Sequence, residues 1–251
     1  MIIIRYFCGG LRLIVMVLLM VIMLGGYIIG IKTIFKHTPE SGFKLRRIFL
    51  KIINPLLGFT DTIEGVKNNK PTLYVSNHRG LLDFFITMKY LDVYALSKAE
   101  VRDIPILGYS AELTGVFFVV RDNKSSRQAT RDSIVHLLKS GYNVLIYPEG
   151  TVNNLKTTAG FSKGAFEEAA KHGFPVVPIA QEYYSINDLW TEGTSSGLQF
   201  IKQFGKCITK VRVSIGLPIV SDNSFILMNE SKKWIDSKLL EMQEGWSTAY
   251  D

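Results

Sequence analysis

Three hydrophobic patterns follow one another along the 251 residues of the chain. From Leu13 to Ile31 no residue is charged and most are Leu, Ile, Val or Met. This run of about 19 residues makes roughly 28 Å of helix, enough for the hydrocarbon core of a bilayer. From Phe43 to Phe59, Phe43, Leu45, Ile48, Phe49, Ile52 and Ile53 keep helical spacing among Lys44, Arg46, Arg47 and Lys51, as in a basic amphipathic helix lying in a membrane interface. A core helix of the following domain has the same pattern; the position directly after the apolar run favours the interface, and Pro55 ends or kinks the helix.

After Gly58 short apolar runs alternate with helical stretches. Strands are predicted over 72–76, 93–97, 116–120, 143–147, 175–180 and 211–215, and helices over 81–90, 104–113, 125–140, 161–172 and 229–242. The stretch from Ser185 to Lys206 is the least regular, and no repeat or low-complexity linker interrupts the rest. The expected architecture is α/β, a mixed central sheet flanked by helices, preceded by an N-terminal membrane-associated helical segment. Residues 1–59 form the membrane anchor and 60–251 a single domain.

Composition narrows the partners. Lys and Arg number 29 against 22 Asp and Glu, and the net charge of +7 calls for an acidic partner: nucleic acid, anionic lipid or a phosphorylated substrate. No nucleic-acid-binding motif is recognisable, and the apolar segment argues against that class. Arg5 and Arg12 precede the segment, whereas Lys32, Lys36, Lys44, Arg46, Arg47 and Lys51 follow it, which puts the domain on the cytoplasmic face of the membrane, beside an anionic leaflet. A cleaved signal peptide fits poorly, because Gly25-Gly26 is followed by Tyr27, Ile28 and Ile29 rather than by a small-residue cleavage site. Cys8 and Cys207 form no disulfide framework and fit a reducing compartment; four scattered histidines without cysteine neighbours offer no transition-metal site.

Candidate chemistry collects at the ends of predicted strands. Ser76-Asn77-His78-Arg79-Gly80-Leu81-Leu82-Asp83 joins a strand to a helix and holds an imidazole with a carboxylate five positions on, suited to a general base and the acid that orients it. Gly115 to Arg121 is a buried strand ending in arginine. Tyr147-Pro148-Glu149-Gly150-Thr151 is a strand end with a tight turn, followed by Lys163 ahead of a helix, and Phe174 to Ile179 is a strand carrying two prolines. Singly, each has a structural explanation: a satisfied turn histidine, a first-turn carboxylate favoured by the helix dipole, a solvated arginine, an ordinary turn. Their conjunction in one α/β domain behind an apolar anchor points to a site. Gly193-Thr194-Ser195-Ser196-Gly197 imitates a nucleophile elbow, but no apolar strand precedes it and no histidine follows, His172 being the last.

In these blocks, over about residues 70 to 182, the chain resembles the glycerolipid acyltransferase family. Asn77-His78-Arg79-Gly80-Leu81-Leu82-Asp83 matches its first block, Ala95 to Glu100 looks like the lysine and glutamate stretch that follows, and Gly115 to Arg121, Pro148 to Thr151 and Val176 to Ile179 match the next three. The resemblance implies transfer of an acyl chain from acyl-CoA or acyl carrier protein to the free hydroxyl of a lysophospholipid acceptor, lysophosphatidic acid giving phosphatidic acid, with no metal or other cofactor. His78 would be the base and Asp83 its orienting acid. Arg121 would bind the acceptor's phosphate, and Asn77, Arg79, Glu149, Gly150, Thr151 and Lys163 would line the substrate site. One position departs: family members of the phosphatidic acid route usually carry arginine after Glu-Gly-Thr, and here Val152 stands there. The chain is similar in this to Glu-Gly-Thr-x-x-Asn variants, which include enzymes acting on other lysophospholipids or glycerol 3-phosphate. The non-enzyme alternative is a membrane-binding protein of the same fold.

Overall fold

The computed structural model describes residues 2–80, 82–119, 124–190 and 196–250. The first helix, α1 (Ile2–Thr33), begins well before the uncharged run. Arg12 does not stop it, because its guanidinium donates to the carbonyls of Phe204, the last residue of a later helix, and of Lys206 just beyond it. The second helix, α2 (Pro39–Leu56), starts at a reciprocal cap between Thr38 and Ser41, with Pro39 in its first turn, and Pro55 lies in its last.

Among the described residues seven strands, β1 (Phe59–Glu64), β2 (Leu73–Ser76), β3 (Val93–Lys98), β4 (Val116–Val119), β5 (Asn143–Ile146), β6 (Val176–Tyr183) and β7 (Thr209–Ile215), form one sheet in the order β1-β7-β6-β2-β5-β3-β4. All pairings are parallel except β6 with β7, so the sheet is mixed as the sequence suggested. Central β2 and β6 are buried along their whole length, as strands covered on both faces must be. One face packs on α1, α2 and α3 (Asp83–Tyr90) through Met16, Leu50, Ile53, Leu82 and Ile86. The other packs on α5 (Lys124–Lys139), α6 (Gly164–His172) and α8 (Ser224–Gln243) through Ile134, Leu138, Phe166, Leu227 and Ile235. A short α4 (Leu107–Leu113) precedes β4, and α7 (Ser196–Phe204) precedes β7.

The six predicted strands and five predicted helices are present within a few residues, while β1 and α7 were not foreseen. The β1 strand is an edge strand whose Thr60, Thr62 and Glu64 are exposed, so only Phe59 and Ile63 mark it in sequence. The α7 helix is a short segment inside the least regular stretch. Nor do the amino-terminal helices stand apart from the domain, since Met16, Leu50, Ile53 and Leu57 belong to the same core as the sheet.

The largest departure concerns Arg46, expected among the basic side chains facing lipid. It is buried on the inner face of α2, where its guanidinium donates to the carbonyls of Leu91, Val93 and Thr114. Leu91 and Thr114 close α3 and α4, so a cation sits where two helices end in unpaired carbonyls. Burial pushes its pKa down to about 9, which leaves it charged at neutral pH. Arg47 pairs with Asp92 at 2.5 Å. The outer face of α2 shows Ile48, Ile52 and Leu56 instead, and α1 shows Ile3, Phe7, Leu18, Ile22 and Ile29.

Candidate active site

The chain leaves β2 for α3 past β5 and joins β3, so the carboxyl end of β2 stands where the connections on its two sides diverge. Asn77 makes the exit. Its side-chain oxygen accepts from the Gln181 amide and its side-chain nitrogen donates to the Gln181 carbonyl, both at 2.8 Å, so it continues the β2–β6 ladder while the backbone turns away. His78 is thereby lifted off the end of the sheet.

Asp83, wholly buried at the start of α3, accepts four hydrogen bonds. Its Oδ2 meets His78 Nδ1 at 2.8 Å and the amides of Arg79 and Gly80 at 2.7 and 3.0 Å; its Oδ1 receives the hydroxyl of Tyr183 at 2.7 Å. A buried carboxylate needs such a set to remain ionised. Opposite an anionic Asp83, Nδ1 carries the imidazole proton and Nε2 keeps its lone pair. Burial, and then the Asp83 charge, push the Tyr183 phenol well above its ordinary range, so it stays a donor.

The imidazole is fixed from its flanks as well. It stacks on Tyr147 at 4.2 Å between centroids and meets Phe84 edge-on at 5.9 Å. Glu149 acts through the backbone: Oε1 accepts from the His78 amide at 2.9 Å, while Oε2 accepts from Asn153 Nδ2 and from the Ala159 amide at 2.6 Å. The Tyr147 to Gly150 turn that presents it closes through a Gly150 N–H to Tyr147 carbonyl bond, with Gly150 at φ +78°, where a side chain would strain the backbone. Gly80 is needed for space rather than for its backbone conformation. Its φ is not positive, and an added Cβ would lie 2.8 Å from Trp190 Cδ1, so the residue is small to admit the indole.

Two spaces lie on either side of this imidazole, each lined by one of the rings that touch it. Phe84 lines an apolar cavity of about 120 Å³ under α1, together with Met16, Met20, Leu24, Phe49 and Met88. Tyr147 and Glu149 line a groove of about 800 Å³ shared with Gly150, Thr151, Arg131 and Lys163. Lys163 stands at its rim, paired with Glu167 at 2.9 Å, and Arg131 is held by Gln128 and by Glu168 at 3.8 Å.

Of the residues singled out from sequence, His78, Asp83, Glu149, Gly150, Thr151 and Lys163 thus gather around one centre. Arg79 does not reach the groove: it is fully buried and turned toward the carbonyls of Leu155 and Lys156, Asn153 Oδ1 and Glu182, the last at 3.2 Å. There it holds the 153–156 loop, and Asn77 is likewise spent on the sheet, so neither side chain has surface to offer a substrate. Arg121 lies outside the described residues, as does Ser195 of the elbow-like stretch. Tyr183, Tyr147, Phe84, Glu182 and Arg131 were not picked out. Tyr147 and Tyr183 do end predicted or extended strands beside the histidine, the signal that would have found them.

Residues 59–182 match the family model described as Acyltransferase. Over that stretch the chain is similar to the acyltransferase family. Among its relatives are a chloroplastic 1-acyl-sn-glycerol-3-phosphate acyltransferase of Arabidopsis thaliana, 32% identical over 182 residues that cover 69% of this chain and 47% of that protein. A lyso-ornithine lipid O-acyltransferase of Pseudomonas aeruginosa is 32% identical over 140 residues, covering 56% of this chain and 54% of the relative. The chain spans about half the length of the curated relatives it matches. In fold it is similar to the crystal structure of the 1-acyl-sn-glycerophosphate acyltransferase from Thermotoga maritima, with a TM-score of 0.69 at 19% identity over 96% of this chain and all of that one.

Proposed function

We propose that this acyltransferase moves an acyl chain from an acyl thioester, acyl-CoA or acyl carrier protein, to the free hydroxyl of lysophosphatidic acid at a membrane surface, giving phosphatidic acid. The observation that carries the reading is a histidine braced by a buried carboxylate and held between Phe84, which lines an apolar cavity, and Tyr147, which lines a groove with cationic walls. The acyl chain lies in the cavity, the thioester reaches His78, and the acceptor's phosphate lies in the groove toward Arg131 and Lys163, with Arg121 as a further phosphate ligand.

His78 Nε2 takes the hydroxyl proton as the acceptor oxygen attacks the thioester carbonyl. A C–O bond forms, the C–S bond breaks as the tetrahedral intermediate collapses, and the departing thiolate takes the proton from the imidazolium, which Asp83 has stabilised meanwhile. No acylated residue and no metal enters the scheme. The α1 helix supports a membrane location. The helix segment Ile3–Thr33, with an 18-residue stretch of mean hydropathy 2.8, is long and apolar enough to cross a bilayer by length and composition. One flank of α1 packs on the domain through Met16, Met20 and Leu24, which suits a helix sunk into the cytoplasmic leaflet beside Ile48, Ile52 and Leu56 of α2.

A second reading keeps the reaction and changes the acceptor. Val152 brings no charge where a phosphate-binding arginine is usual in the phosphatidic acid route, and one relative is named for a lyso-ornithine lipid. An acceptor panel with one acyl donor and detergent-purified protein decides. Faster turnover of lysophosphatidic acid than of zwitterionic lysophospholipids or glycerol 3-phosphate supports the first reading, and the reverse order replaces it with the second.

A further inference from the structure

A second basic groove, sharing none of the residues around His78, opens where the first turns of α1 meet α7 and the start of β7. It measures about 740 Å³ and is lined by Arg5, Tyr6, Tyr184, Lys202, Lys206 and Lys210. Among the described residues four cations share it with one carboxylate, Asp188. That carboxylate is already engaged: Lys206 Nζ bonds Asp188 Oδ1 and Gln203 Oε1, both at 2.7 Å, and the Asn187 carbonyl, which uses all three of its protons. Among the described residues the side chains of Arg5 and Lys202 have no hydrogen-bond or ion-pair partner, and that of Lys210 has only the Tyr184 ring, 4.9 Å away. Burial lowers the Lys206 pKa against the pull of Asp188, and the nearby Arg5 charge lowers it a little further.

The chemistry at the rim narrows the ligand. Ile3, Ile4, Phe7 and Leu11 of α1 are exposed at the same end, and Ile208 lies exposed in the groove wall. A charged pocket that opens beside a strip of apolar surface suits a molecule with a phosphate at one end and hydrocarbon at the other. The groove also lies at the opposite end of α1 from the Lys32 and Lys36 expected to touch the leaflet.

We propose that this groove binds the phosphate headgroup of an anionic phospholipid, with Arg5, Lys202 and Lys210 as its ligands, as a site separate from catalysis. The proposal rests on the membrane location argued above and not on the acceptor assignment. It holds the amino-terminal end of α1 at the depth of the headgroups while α2 marks the other end, fixing how the domain sits on the leaflet.

Binding of fluorescent phosphatidylglycerol to the full-length protein in neutral detergent micelles tests it. The parent protein prefers labelled phosphatidylglycerol to labelled phosphatidylcholine, and Lys202→Ala with Lys210→Ala weakens the former ~10-fold per lysine, the loss of one charge-assisted hydrogen bond each. Lys67→Ala with Lys70→Ala, on an exposed loop elsewhere, leaves it unchanged. Acyl transfer in neutral micelles is the same in all three proteins, so loss of transfer in the parent sinks the function proposal without touching this one. Equal affinity in the groove variant and the parent, or an equal loss in the loop variant, overturns the site. Lysine-dependent binding of inorganic phosphate with no preference between the two lipids overturns the lipid assignment.

Discussion

Tyr183, at the last position of β6, gives its hydroxyl proton to Oδ1 of Asp83 at 2.7 Å, while Oδ2 of the same carboxylate faces His78. The phenol thus holds from behind the group that holds the imidazole, and it reaches neither space in which substrate is expected. Replacing it as Tyr183→Phe keeps the ring in the core and removes one hydrogen bond to a buried charge, worth about 1.5–3 kcal/mol. The expected result is a fall in kcat of ~10-fold with KM little changed. Equal loss in both constants, or none, would show that Asp83 is positioned without it.

Arg79 and Glu182 form a buried pair that holds the 153–156 loop. Arg79→Ala leaves the carboxylate uncompensated and is expected to cost about 3–5 kcal/mol of stability, read by denaturation in detergent. A substrate-contact role would instead leave the melting curve in place and raise KM.

Glu182 also gives a pH signature. Burial raises its pKa above the ordinary 4.5 despite Arg79. In the window between the two values the folded protein holds more protons than the unfolded chain. Stability from this group is therefore full below the unfolded value and lost as pH rises through the folded one. Glu182→Gln removes that component, so the difference in melting temperature between parent and variant changes with pH in this window and is flat on either side. A difference independent of pH contradicts the assignment.

Met20 lines the cavity under α1, its sulfur accepting from Ser110. Met20→Trp adds bulk there, and the ratio of rates with long and short acyl thioesters is expected to fall, measured by competition between two donors. An unchanged ratio would place the acyl chain elsewhere.

How much of this was legible in sequence depends on what each residue does. The strands announced themselves because β2, β5 and β6 are buried on both faces and carry short apolar runs, Leu73–Val75, Val144–Ile146 and Val176–Ala180. His78, Asp83 and the Glu149-Gly150 turn were singled out because they stand at strand ends in short spacings, and the fold brings them together. Arg79 and Arg46 were misplaced for one reason: a positive charge in a sequence reads as surface or ligand, and only the folded chain shows the carbonyls that make it an interior clamp. Tyr183 stayed hidden because its partnership with Asp83 spans a hundred residues and uses a residue type common in strands.

Acyl transfer by His78→Ala, set against the parent protein with lysophosphatidic acid and an acyl-CoA, tests the central claim most directly. Loss of the base is expected to lower the rate of thioester consumption by ~10²- to 10⁴-fold while the protein stays folded. Consumption at the parental rate would contradict general-base catalysis by this histidine.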